Sequence, residues 1–134
     1  MNLVSKKYNP NLRENLIVSL TFKFALEVVS FVGQMERLRK YAIANQLIRA
    51  GTSIGANVRE AQNAESRIDF IHKMKIAAKE ADETEYWLEI CEQSPNYPKS
   101  PQLLVDILSI KRVLSKIIAS SKASSNHRIN KSSN

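Results

Sequence analysis

From residue 11 to residue 94 the chain contains no proline; its four prolines stand at 10, 95, 98 and 101. Only three glycines occur, so almost nothing in that stretch removes a backbone donor or loosens a helix. An all-α fold follows. Asn11 can cap a first helix that runs to about Met35, because its side chain accepts a bond from an orphan backbone N–H. Gly33 reads as the fraying end of that helix. A second helix is expected from about Glu36 to Asn63. Ser66 followed by Asp69 is a capping box with aspartate in the glutamate position, and it opens a third helix through about Gln93. Ser94 to Ser100 is a loop, and Pro101 opens a fourth helix, where its missing N–H costs nothing. That helix is expected to end near Ser121, which makes residues 1–121 one domain and residues 122–134 a mobile polar and basic tail.

Apolar residues recur at helical spacing. The stripes are Ala44, Leu47, Gly51, Ile54, Val58 and Ala61 in the second helix, and Phe70, Met74, Ala77, Ala81, Thr84, Leu88 and Cys91 in the third. Leu103, Ile107, Ile110, Leu114 and Ile117 form the stripe of the fourth. With short connections, such helices predict an antiparallel up-and-down four-helix bundle. The first helix is apolar on every side: 12 of the 17 residues from Leu16 to Val32 are apolar. Lys23 and Glu27 in the middle of that run argue against a membrane span, and they interrupt any signal peptide. The third helix adds a second stripe of Ile76, Glu80, Glu83, Trp87 and Ile90. One bundle cannot bury both surplus surfaces, so self-association is expected, against the plainer alternative of scattered exposed apolar residues.

Charge is uneven. The net +7 divides into 9 basic against 4 acidic residues over 1–62, 4 against 8 over 63–98, and 7 against 1 over 99–134. Such a balance favours association with polyanions and says nothing of fold. Cys91 is the single cysteine, so no disulfide can form within the chain, and a reducing, cytoplasmic setting is expected.

The second helix carries a polar seam of Gln46, Arg49, Ser53, Asn57 and Glu60. Arg49 and Glu60 are about 16 Å apart along one helix, so each needs a partner on another helix or subunit. Gly51 and Gly55 lower helix propensity, which points to close approach of a neighbouring backbone. A tightly packed seam is the plain reading of this segment; a ligand seam is the sharper one.

Catalysis finds little support. A di-iron bundle needs two Glu-x-x-His motifs, and only Asp69-x-x-His72 comes close. Glu85, Glu89 and Glu92 read as a solvated acidic face or a partner for basic residues, and no phosphate loop or nucleophile triad can be assembled. No enzyme activity, metal or cofactor is expected. Basic residues are more informative: Arg37, Arg39 and Lys40 cluster at the first turn, and Lys111, Arg112, Lys116 and Lys122 lie along the fourth helix ahead of Arg128 and Lys131. They suit sequence-independent phosphate contact, and no aromatic interleaving or recognition helix points to base reading. A merely solvated basic face is the alternative.

The run QLIRAGTSIGANVREAQNAESRIDFIHKMKIAAKEADETEYWLE, from Gln46 to Glu89, closely resembles the bacterial four-helix bundle proteins also called 23S rRNA-intervening-sequence proteins. The resemblance implies a short bundle that assembles into a ring-like homopentamer without enzymatic activity. It assigns Arg49, Ser53, Asn57, Glu60, Glu80, Glu83 and Trp87 to structural and interface positions, with Ile76 on the same outer stripe. Relatives often carry a small residue where Arg59 stands and proline where Gly55 stands. A related branch comprises nucleic-acid-binding accessory proteins of diversity-generating retroelements. The partners implied are therefore further copies of the chain, RNA or DNA, and a reverse transcriptase or another protein. Two functions follow: a basic oligomeric nucleic-acid accessory, or a protein-binding scaffold with no nucleic-acid role.

Overall fold

Four α-helices and no strand make up the described residues, 12–132, of the computed structural model, with side chains described over 16–124. The helices are α1 (Leu12–Arg37), α2 (Tyr41–Ala61), α3 (Arg67–Gln93) and α4 (Pro101–Ser132). Each of α1 and α3 touches both α2 and α4, while the pairs α1–α3 and α2–α4 make no close backbone approach. That arrangement is a four-helix bundle with a single core. Its interior is built from the apolar stripes: Ile17, Phe24, Val28 and Met35 of α1 meet Leu47, Ile54 and Val58 of α2, Met74 and Leu88 of α3, and Ile107 and Leu114 of α4. Of the buried hydroxyl residues Thr21, Thr84 and Ser121, the two threonines bond on their own helices: Thr21 Oγ1 donates to the Ile17 carbonyl at 2.8 Å, and Thr84 Oγ1 to the Glu80 carbonyl at 2.7 Å.

The expected helix starts after Ser66 and at Pro101 are present. Ser66 accepts from the Asp69 N–H at 3.0 Å, and Asp69 Oδ2 reaches back to the Glu65 N–H at 3.4 Å. Ser100 accepts from the Leu103 N–H at 3.2 Å, with Pro101 in the first turn. The cap expected at Asn11 lies outside the described residues.

Two boundaries differ from expectation. Gly33 does not end the first helix: α1 passes through it to Arg37, and α2 starts at Tyr41 and not at Glu36. The turn is closed by Arg39 in the left-handed region (φ 62°), with the Arg39 N–H bonded to the Glu36 carbonyl and the Lys40 N–H to the Met35 carbonyl, each at 2.9 Å. That is a Schellman arrangement in which glycine is usual and arginine stands, so no glycine marks the site. At the other end, α4 does not stop near Ser121 but continues to Ser132. No glycine or proline follows Pro101, and Ser121 is itself buried, so the backbone has no breaker where the composition turns polar.

Lys99 holds the α3–α4 loop: its Nζ donates to the carbonyls of Cys91, Glu92 and Ser94 at 2.9, 2.8 and 2.7 Å, occupying acceptors that the end of α3 leaves open.

Glycine positions separate close packing from open surface. A Cβ on Gly51 would lie 2.9 and 3.0 Å from the two Val28 methyls, and one on Gly55 3.3 Å from the Thr21 carbonyl, whereas one on Gly33 meets nothing nearer than Arg37 Nη1 at 3.7 Å. Gly51→Ala is therefore expected to destabilise by about 1–3 kcal/mol, because overpacking a rigid branched side chain outweighs the gain in helix propensity. Gly33→Ala is expected to stabilise by about 0.5–1 kcal/mol. Urea titrations of the two variants check both signs.

Candidate interaction surfaces

The polar seam of α2 meets α3. Arg49 Nη1 lies 3.3 Å from Glu80 Oε1, its Nη2 bonds Glu83 Oε2, and Trp87 Nε1 donates to the same Glu83 oxygen at 3.3 Å. Tyr86 packs edge-on against Trp87 at 5.1 Å between ring centroids. Glu60 pairs with Lys73 at 3.0 Å. Arg49 and Glu60 thus each take a partner from α3, as their separation along α2 requires. Ser53 and Asn57 stay within α2: Ser53 Oγ donates to the Arg49 carbonyl at 2.6 Å and Asn57 Nδ2 to the Ser53 carbonyl at 2.9 Å. Asn57 therefore does not join the ion pairs. Ile76 and Trp87 are half-buried on the outer stripe of α3.

The basic residues separate into two groups. At the first turn, Lys40 lies over the Tyr97 ring at 5.0 Å, so Arg37, Arg39 and Lys40 sit at the end of the bundle that carries the α3–α4 loop. Lys122 is 21 residues beyond Pro101, roughly 32 Å away along α4. One compact site cannot contain both groups. Within the α4 group, Lys111 is committed: its Nζ lies 2.9 Å from Asp82 and 2.5 Å from Glu85. Hydrogen bonds to Glu85 and Asp82 raise its pKa. Arg112 and Lys116 are exposed and border a shallow depression with Leu108 and Ser115. Lys122 faces Lys75 of α3, whose ammonium lowers its pKa. Sequence reasoning passes over Lys75 and Lys79 because six acidic residues follow them in α3; the antiparallel-looking charge order of α3 and α4 was the available signal. The side chains of Arg128 and Lys131 lie outside the described residues.

The third surface is apolar. Phe22, Leu26 and Val29 recur along the outward side of α1 and are 48, 56 and 52% exposed. Arg59 stacks on Phe22 at 4.8 Å from the ring centroid, which continues the surface onto α2. By length and composition alone, Leu16–Arg37 is sufficient to cross a membrane. Its opposite side, from Ile17 to Met35, is core of the bundle.

Among the described residues no cluster of His, Cys, Asp or Glu could hold a metal ion. Cys91 is buried, and desolvation pushes its thiol from an ordinary 9.0 up to about 11.

Comparison with known proteins gives one consistent result. The family model described as 23S rRNA-intervening sequence protein matches residues 13–118. A solved structure from Bacteroides thetaiotaomicron VPI-5482, a protein of unknown function from the S23 ribosomal protein family, is 37% identical with a TM-score of 0.76, over 81% of this chain and 99% of that one. No curated protein matches.

The raised pKa values carry a stability consequence of definite sign. Cys91, Lys111 and Lys73 all hold their protons more tightly when folded. Their contribution is complete below pH 9 and is lost as pH rises, first through the Cys91 window between 9.0 and about 11. Urea midpoints are expected to fall from pH 8 to pH 11, less steeply in Cys91→Ala. Native Cys91 is expected to resist alkylation at pH 8 and to react once the chain is unfolded.

Proposed function

The chain belongs to the 23S rRNA-intervening sequence protein family, and on that premise we propose that it is a non-enzymatic, oligomeric helical-bundle accessory that binds RNA or DNA without sequence preference. In this reading the antiparallel up-and-down bundle is the subunit of a ring-like homo-oligomer, five copies being the number that family resemblance suggests, and the protein works in the cytoplasm. The observation that carries the proposal is the charge left over after pairing. Ion pairs occupy Arg49, Lys73 and Lys111, while among the described residues Lys75, Lys79, Arg112, Lys116 and Lys122 have no carboxylate within 4.0 Å. Each copy contributes +7, so a ring multiplies weak phosphate contacts into multivalent binding of a long polyanion.

The exposed apolar side of α1 supports the assembly half of the reading. Phe22, Leu26 and Val29 present a contiguous stripe that association would cover. A protein-binding scaffold shares this feature and lacks the nucleic-acid role.

Two measurements test the proposal. Light scattering on the full chain is expected to give a multiple of 15.2 kDa. Leu26→Glu, at an exposed position, is expected to yield monomer with its helical circular dichroism retained, because the assembled state would bury an unpaired charge. Fluorescence anisotropy with mixed-sequence DNA and RNA is expected to show binding that weakens linearly in log affinity against log salt. A monomeric wild-type chain refutes the assembly. An oligomer that binds neither nucleic acid at low salt is a scaffold.

A further inference from the structure

We infer that the phosphate backbone of nucleic acid is held on the α3–α4 face, by Lys75 and Lys79 of α3 together with Arg112 and Lys122 of α4, and not at the α1–α2 turn. The inference rests on the reading that the protein binds nucleic acid, and it locates that binding. Register brings Lys75 to Lys122, with Lys79 and Arg112 further along their own helices. Lys111 of α4 is paired with Asp82 and Glu85 of α3, and Lys122 of α4 faces Lys75 of α3. Residue numbers therefore fall along α3 as they rise along α4, and the basic first half of α3 lies beside the basic second half of α4. Lys79 is one helical turn from Lys75, and Arg112 is ten residues from Lys122, about 15 Å along the axis.

All four side chains are exposed, and none has a carboxylate partner among the described residues. Two ammonium groups facing each other is an arrangement that an anion between them relieves, and mutual repulsion already lowers the Lys122 pKa. Phosphates rise about 3.4 Å apart along one strand, so a track of about 15 Å spans roughly four of them. The carboxylates of Asp82 and Glu85 bound the track on one side. Lys111 is neutralised there, and Glu89 beyond is exposed and repels phosphate. A narrow cationic row bordered by acid suits a linear polyanion better than a planar anionic surface. At the α1–α2 turn, by contrast, Lys40 is already placed over Tyr97, and Lys99 nearby is engaged by three carbonyls.

The test compares two variants of the full chain that lose the same charge. Lys75→Gln/Lys79→Gln/Lys122→Gln is expected to weaken binding of a labelled mixed-sequence duplex and of a single-stranded RNA by about tenfold or more at low salt, and to flatten the slope of log affinity against log salt by about three. Arg37→Gln/Arg39→Gln/Lys40→Gln is expected to bind nearly as the unmodified protein does. Single exchanges at Lys75, Lys79 and Lys122, each lowering affinity by about threefold, keep the test independent of the triple variant's folding. Equal losses in the two triple variants overturn the track and leave nucleic-acid binding standing. Absence of binding by the unmodified protein overturns both. Binding to phosphatidylserine vesicles in preference to either nucleic acid overturns the choice of partner.

Discussion

The approach of α1 to α2 at Gly51 and Gly55 sets the geometry on which the remaining surfaces depend. Without Cβ atoms at these positions, α2 can lie against the methyls of Val28 and the backbone of Thr21. That contact orients the rest of α2. Once Gly51 and Gly55 face α1, Arg49, Ser53, Asn57 and Glu60 are turned toward α3, where Arg49 reaches Glu80 and Glu83 and Glu60 reaches Lys73. A polar seam at the α2–α3 groove is thus the counterpart of an apolar seam at the α1–α2 groove. The pairs are partly exposed and individually weak, worth roughly 0–1 kcal/mol each, so they select register more than they supply stability.

The same register divides the charges into paired and unpaired sets. Carboxylates in the second half of α3 take up Arg49 and Lys111 from the helices on either side of it. Lys75 in its first half has no such neighbour on the α4 side and stands next to Lys122. A chain that is basic at both ends and acidic in the middle therefore does not fold into a uniformly basic body. Folding the acidic stretch back along the C-terminal helix cancels charge over one part of the face and concentrates it over the other.

Helix α1 shows how composition and tertiary context separate. Its apolar content matches a membrane span by length and composition, yet Ile17, Phe24, Val28 and Met35 occupy the interior of the bundle. Phe22, Leu26 and Val29 remain outward, each about half exposed. This outward stripe and the cationic residues of α3 and α4 lie on different helices.

Helix number, the core stripes of α2, α3 and α4, the cap at Ser66 and the helix start at Pro101 were legible in the sequence, because local periodicity and side-chain hydrogen bonding decide them within a few residues. So was the need of Arg49 and Glu60 for separate partners, since helical rise alone forbids their meeting. The turn at Arg39 was not legible: an arginine in the left-handed region gives no glycine signal, and only the packing of α2 against α1 requires the chain to reverse there. The extension of α4 beyond Ser121 was hidden by polar composition that does not itself break a helix. Which basic residues are free could only come from the tertiary structure. Lys111 and Lys122, eleven residues apart, fall on the same side of α4, and one faces two carboxylates while the other faces an ammonium. That difference arises from the register of α4 against α3, a long-range relation that no local pattern along the chain encodes.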